Sequence, residues 1–332
     1  MLGGLGAPID GLGAIGDEWR AVAARPPAPL ERARVTRVLA TGVRSIDALL
    51  TVGEGQRVGL FAAAGVGKST LLGMLARGCA ADVIVVGLIG ERGREVRDFV
   101  ERDLGAAGLK KSVVFAATSD EPALVRVKAA HAATTAAEHF RDQGLKVLLL
   151  IDSVTRFARA LREVGLAAGE PPVRSGFPPS AFAEMPRLLE RAGNAARGSI
   201  TAFYTVLVEG DDMTEPVADE VRSILDGHIV LSRALAECGH YPAIDVSRSV
   251  SRVMGELVER EHAVAARGTR EALSIYEQHR DLIAVGAYKR GFDAKIDAAL
   301  ERIDSIQAFL RQDAGEGIPF ETSLAQLKCL FL

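Results

Sequence analysis

The run Gly59-Leu60-Phe61-Ala62-Ala63-Ala64-Gly65-Val66-Gly67-Lys68-Ser69-Thr70 brings an apolar strand into a turn of small residues and leaves it through Lys-Ser at the start of a helix. In such a turn the backbone N–H groups, here from Ala64, Gly65, Val66, Gly67, Lys68, Ser69 and Thr70, point inward and wrap phosphate oxygens, and the helix N-terminus adds a favourable dipole. Lys68 is expected to bridge the β- and γ-phosphates of ATP, and the Ser69 hydroxyl to ligate Mg2+. The spacing small-x4-Gly-Lys-Ser also recurs in unrelated chains, and Ala62 stands where a glycine is usual. The strand before the turn and the helix after it separate this stretch from an ordinary glycine-rich turn.

Two further apolar runs end in acids. Val83–Ile89 leads into Gly90-Glu91-Arg92, and Val147–Ile151 leads into Asp152-Ser153. In a parallel sheet all carboxyl ends lie on one edge, so chain direction alone brings Glu91, Asp152 and the phosphate turn together. Asp152 is placed to hold Mg2+ through water, together with Ser69. Glu91 is the candidate to orient and deprotonate the attacking water, and Arg92 to neutralise charge developing on the γ-phosphate. A surface acid in the charged helix start Glu91-Arg92-Gly93-Arg94-Glu95 is the plainer alternative for Glu91.

The elements that must position these groups read as a doubly wound α/β core. Strands are expected at Gln56–Ala62, Val83–Ile89, Val113–Ala117, Val147–Ile151, Ile200–Val208 and His228–Leu231, with helices at Lys68–Gly78, Arg94–Leu104, Glu121–Arg141, Val154–Glu163 and Pro179–Ala192 between them. Continuous apolar strands are buried on both faces, which implies a mainly parallel sheet covered by helices. Residues 1–34 are rich in Gly, Pro and Ala and read as an extended lead-in without regular structure. Residues 35–254 form the nucleotide core. After Gly255 only helical patterns remain, at Arg270–Gln278, Asp293–Arg311 and Thr322–Leu330, so 255–332 reads as a small all-helical C-terminal domain.

Composition narrows the classes. The 332 residues are 48% hydrophobic and 25% charged, as in a soluble protein with a sizeable core. A formal net charge of −3 lacks the basic surplus of a protein that lives on nucleic acid. Cys79, Cys238 and Cys329 are far apart and form no CxxC or Cys/His pattern, so neither disulfides nor zinc is implied. No apolar run approaches the ~20 residues of a membrane helix, and the start does not read as a signal peptide.

Taken in order, these motifs resemble the ATPases of type III protein secretion systems, relatives of the catalytic subunits of rotary ATP synthases. The resemblance covers nearly the whole chain: Thr41-Gly42-Val43-Arg44-Ser45-Ile46-Asp47, Gly90-Glu91-Arg92-Gly93-Arg94-Glu95, Asp152-Ser153-Val154-Thr155-Arg156-Phe157 and Gly169-Glu170-Pro171-Pro172. The most specific matches are Gly176-Phe177-Pro178-Pro179-Ser180, Val208-Glu209-Gly210-Asp211-Asp212 and Leu225-Asp226-Gly227-His228-Ile229-Val230-Leu231. Ala117-Thr118-Ser119-Asp120 and Met213–Glu220 look more like virulence injectisome members than flagellar ones.

The resemblance implies a RecA-like P-loop core that hydrolyses Mg-ATP to power protein export, releasing cargo from chaperones and unfolding it. It implies a homohexamer that engages a central stalk, a peripheral stator, chaperone–cargo complexes and the export apparatus at the cytoplasmic face of the inner membrane, with the C-terminal helices as the cargo-docking surface. Tyr241, in His240-Tyr241-Pro242, falls where relatives place the aromatic beside adenine; core packing next to a proline turn is its alternative. Arg252, in Ser249-Val250-Ser251-Arg252-Val253, matches the arginine that relatives insert into a neighbour's active site, although Arg248, one turn earlier on a helical reading, leaves the choice between the two open. The small β-barrel domain that relatives carry before the core is not matched, so the chain reads as truncated at that junction. Three rivals remain: a flagellar export ATPase with the same chemistry, a hexameric nucleic-acid translocase, and a catalytically idle assembly subunit. The acidic balance argues against the second, and intact Lys68, Ser69, Glu91 and Asp152 argue against the third.

Overall fold

A strand such as Val83–Ile89, apolar at every position, needs cover on both faces, and the chain provides it. The computed structural model describes residues 1–13, 19–209 and 212–331. Part of the lead-in, Gly210 and Asp211 of the Val208–Asp212 motif, and Leu332 lie outside the described residues. Among the described residues, nine strands form one sheet: β1 (Leu2–Gly3), β2 (Arg57–Ala62), β3 (Val83–Glu91), β4 (Ser112–Thr118), β5 (Lys146–Asp152), β6 (Gly193–Asn194), β7 (Ser199–Leu207), β8 (Gly227–Leu231) and β9 (Ile244–Ser251). The order is β1-β4-β3-β5-β7-β2-β8-β9, with β6 beside β7. Every pair is parallel except β6–β7 and β8–β9.

Side chains alternate between the two faces of each strand. From β3, Ile84, Val86 and Leu88 join the core that contains Leu71, Leu72 and Leu75 of the helix Lys68–Gly78. Val85 and Ile89 point the other way, into a core with Ala129, Ala130, Ala133 and Ala137 of helix Ala123–Asp142 and Phe157 and Leu161 of helix Val154–Ala167. Small alanines let the long helix lie close on the sheet. Helices Pro179–Leu189 and Pro216–Ile224 complete that layer, each opened by a proline whose missing N–H needs no partner in the first turn.

The C-terminal region is three helices, Arg260–Ala284, Ala294–Leu310 and Phe320–Phe331. Asp293 caps the second by accepting from the backbone N–H groups of Lys295 and Ile296. Ala265, Ala299, Ile306, Phe309 and Leu327 belong to the same apolar core as the helix that follows the phosphate turn. No helix of the described residues is long and apolar enough to cross a membrane.

Four expectations are corrected. The lead-in contains regular structure: β1 extends the sheet edge beside β4, and Pro29–Glu31 makes a 3-10 turn. Residues 20–34 are also strapped onto the core, because Arg191 donates to the Val22 carbonyl and Arg32 to the carbonyls of Glu190 and Ala192. The segment 249–253 is not helical; β9 runs to Ser251, antiparallel to β8, so Arg248 sits on a strand. The expected helix Arg94–Leu104 is an α-turn over Gly93–Asp98 followed by a π-turn over Phe99–Leu104. The helix expected at Arg270–Gln278 spans Arg260–Ala284, since its polar flanks carry no apolar period of their own.

Candidate active site

The phosphate turn leaves β2 at Ala62 and enters the helix at Lys68. Gly65 and Gly67 adopt φ of +82° and +90°, the left-handed conformations that a side chain disfavours. Buried Val66 anchors the turn from below, while Ala64, Gly65, Ser69 and Thr70 stay exposed around its mouth. Ser69 is therefore accessible from solvent at the mouth of the turn.

β5 delivers Asp152, which is buried and accepts a hydrogen bond from the Thr205 hydroxyl on β7 at 2.7 Å. Ser153 then caps the next helix by accepting from the Arg156 N–H at 3.2 Å, which fixes the strand end. Lys68 Nζ donates to Asp152 Oδ1 at 2.5 Å and lies 3.6 Å from Glu91 Oε1. Burial disfavours the Lys68 charge, but the Asp152 and Glu91 carboxylates outweigh it and raise its pKa.

Glu91 reaches this cluster through an irregularity. The register of β3 on β4 shifts between Ile89 and Glu91, and Gly90 takes φ of +71°. Such bulges re-aim a side chain at the end of a strand. Glu91 is 7% exposed, and its Oε1 has no hydrogen-bond donor. Burial, the Asp152 charge and a hydrogen bond with Glu95 push its pKa up to about 7, against the pull of Lys68 and Arg156. A buried carboxylate with a spare acceptor and a pKa near neutrality suits a general base.

Tyr241 lies at the same sheet edge, before β9. A Cβ built on Gly67 would come within 3.5 Å of its ring, which is 47% exposed on the outer side. Arg92 is not part of the cluster: as the residue capping helix Gly93–Asp98 it sends its side chain into solvent, where it meets Glu95 at 3.2 Å. Arg252 is farther away. Ser251 pairs with Gly227 at the start of β8, and β8 runs parallel to β2, so Arg252 sits at the sheet edge opposite the phosphate turn. Across the eight residues of β9 the separation is about 23 Å along the strand direction.

The nucleotide-binding domain of the ATP synthase alpha/beta family matches residues 42–251, and the C-terminal domain of the EscN ATPase of type III secretion systems matches 258–329. A type 3 secretion system ATPase of Xanthomonas euvesicatoria is 56% identical over 328 residues, covering 98% of this chain and 74% of that one. A flagellum-specific ATP synthase of Bacillus subtilis is 56% identical over 305 residues, covering 92% of this chain and 70% of its own length. The assembled ATPase EscN from the enteropathogenic E. coli type III secretion system superposes with a TM-score of 0.95 at 51% identity, over 99% of this chain and 80% of that one. The chain belongs to the type III secretion and flagellar export ATPase family.

An export ATPase hydrolyses ATP, and Lys68, Glu91 and Asp152 converge beside the phosphate turn of this one. Two polar members of this export ATPase's cluster escaped the sequence reading. Thr205 sits in the middle of an apolar run, and only the register of β7 on β5 reveals that it faces Asp152. Arg156 lies in the first turn of the helix that follows β5, which keeps it at the same sheet edge. Its Cβ and Cγ fill the space that Gly90 leaves, and its Nε is buried without a hydrogen-bond partner. The Phe177 motif lies elsewhere, in a cleft of about 610 Å3 with Arg159, Arg162 and Arg174.

Proposed function

We propose that this export ATPase hydrolyses Mg-ATP with Glu91 as general base, Lys68 on the β- and γ-phosphates, and Arg252 supplied by a neighbouring copy. The observation that carries the reading is the buried Glu91 oxygen that accepts no hydrogen bond, 3.6 Å from a lysine already held by Asp152 at the phosphate turn. Lys68 exchanges its Asp152 contact for phosphate oxygens when ATP enters, and Glu91 then takes the proton of the attacking water. Arg156, against Gly90, keeps Glu91 aimed at the cluster.

The donors suit Mg2+: Ser69 Oγ and the Asp152 carboxylate are hard oxygen ligands, and such an ion takes one or two protein groups and completes its shell with phosphates and water. Bound there, Mg2+ supplies charge neutralisation of the β- and γ-phosphate oxygens. Arg92 contributes at most a surface charge in this reading, since its side chain is solvent-exposed beside Glu95.

The energy is spent on releasing export cargo from chaperones and unfolding it, in an injectisome at the cytoplasmic face of the inner membrane. The assembled EscN and its complex with the central stalk EscO are structures of a relative at 50–51% identity, and they support self-association and a stalk partner here. A peripheral stator, the membrane export apparatus and chaperone–cargo complexes, the last on the C-terminal helices, complete the partners; nucleic acid is not one. A flagellar machine is the second reading, supported by 56% identity to the Bacillus subtilis flagellum-specific ATP synthase. Complementation of strains lacking one or the other export ATPase separates the two.

The test of the site is Glu91→Gln. This variant is expected to bind Mg-ATP with unchanged affinity and to hydrolyse it at least about 100-fold more slowly. Lost binding would move Glu91 to a structural role and remove the general-base assignment.

A further inference from the structure

Among the described residues the Arg252 guanidinium is held by one hydrogen bond, from Nη2 to the Arg222 carbonyl at 3.3 Å. Its aim is therefore set by the backbone that carries it. The Arg252 N–H donates to the Asp226 carbonyl at 3.0 Å, and fully buried Gln56 donates to that same carbonyl at 3.1 Å. Gln56 also donates to the Ser251 hydroxyl at 3.2 Å, which in turn donates to the Thr51 carbonyl at 2.8 Å. The residues just before and at Arg252 are thus pinned by one short stretch of β2 and its approach.

Asp226 is itself clamped. Its carboxylate accepts from the Arg57 N–H, Nε and Nη2, each at 3.0 Å, and its own N–H donates to the Arg57 carbonyl at 2.9 Å. Such a two-point fork fixes both partners in orientation as well as distance. Arg57 Nη1 lies 2.5 Å from Glu190, which also holds Arg32 of the strap at 3.1 Å. Burial disfavours the Arg57 charge, and the Asp226 and Glu190 carboxylates more than offset that penalty.

We propose that the Arg57–Asp226 clamp, with Gln56, is the positioning element for Arg252. The first residue of β2 aims the arginine that a chain lends to its neighbour, and the last residue of β2 leads into that chain's own phosphate turn. The proposal rests on the trans reading of Arg252 given above. Arg57 and Asp226 touch no substrate; they act through the backbone at Arg252.

Full-length chains are assayed at concentrations where the wild type is assembled. Asp226→Asn keeps the backbone carbonyl and the side-chain volume and removes the charged fork. It is expected to lower kcat by about 10–100-fold, the scale of a misplaced catalytic group, with KM for ATP within about twofold. Excess Lys68→Ala chains, inactive themselves but with a well-aimed Arg252, are expected to restore turnover to Asp226→Asn chains. The double variant Asp226→Asn/Arg252→Ala is expected to be no slower than Arg252→Ala alone. Arg57→Lys retains a charge and loses the fork, and gives the same pattern where Asp226→Asn does not fold. If Lys68→Ala rescues Arg252→Ala but neither clamp variant, the clamp is merely structural and the proposal falls while the trans reading stands. If Lys68→Ala rescues none of them, the trans reading falls and takes the proposal with it.

Discussion

Replacing Glu138 by Gln should destabilise the chain far more than its conservative chemistry suggests. Arg191 is 1% exposed, and Glu138 accepts from its Nε at 2.9 Å and from its Nη2 at 2.5 Å. The same guanidinium donates to the Thr135 hydroxyl at 2.8 Å and to the Val22 carbonyl of the strap at 2.9 Å. A glutamine at 138 would present an NH2 to a donor and leave a guanidinium charge inside the protein with no counter-ion. Removing one partner of a buried pair costs about 3–5 kcal/mol. Over 332 residues that corresponds to a fall in Tm of about 4–7 °C.

Removing both charges tells the two contributions apart. In Glu138→Leu/Arg191→Met the uncompensated charge is gone, and what remains is the loss of the Thr135 and Val22 hydrogen bonds, about 1 kcal/mol each. The double variant is therefore expected to be more stable than Glu138→Gln by about 1–3 kcal/mol. Urea unfolding followed by far-UV circular dichroism measures the stabilities, and amide hydrogen exchange around Val22 reports whether the strap has loosened. A Glu138→Gln chain within about 1 kcal/mol of wild type would refute the reasoning, because the Arg191 charge would then have found solvent or another partner.

Three further outcomes are expected. Lys68→Ala abolishes ATP hydrolysis in a coupled phosphate-release assay, and wild-type turnover would remove the phosphate-turn assignment. Tyr241→Ala raises KM for ATP by about 5–100-fold, the scale of one stacked base, with kcat unchanged; an unchanged KM would make Tyr241 a packing residue. Burial and the charges of Arg191 and Lys128 lower the pKa of His131 to about 4, despite Glu184 at 3.4 Å, whereas the unfolded imidazole titrates near 6.5. The unfolded chain thus binds the extra proton between those values, so stability is held above pH 6.5 and falls by up to about 3 kcal/mol as pH drops toward 4. His131→Gln should flatten that fall, as read from unfolding curves across the range.

The strand-end acids were legible because parallel topology turns chain direction into position, and Val83–Ile89 and Val147–Ile151 are apolar without interruption. The phosphate turn was legible because its glycines are required locally, by backbone conformation rather than by distant contacts. Arg92 misled because its direction depends on the bulge at Gly90, which splits it from Glu91 by placing one in the sheet edge and the other at a helix cap. β9 is an edge strand with no apolar run: Ile244 and Val246 are buried, Ser247 and Arg248 are exposed, and after the register shift against β8 the buried position falls to Ser249 while Val250 is exposed. The strap was silent for another reason: residues 20–34 are bound largely through their backbone carbonyls and arginines, by partners more than a hundred positions away, and no local pattern encodes that.

The placement of Arg252 also has arithmetic in it. If Arg252 acts in trans as proposed, a chain whose phosphate turn and arginine sit at opposite edges of one sheet does not complete its own site, and the two edges meet head to tail. An open stack of copies then always holds one finished site fewer than it has members, and one chain at its end carries an arginine with nothing to serve. Closing the stack removes that deficit in a single step. For a ring of this kind the first chain contributes no finished site, each later addition contributes one and the closing one two, so the onset of full activity reports closure rather than growth.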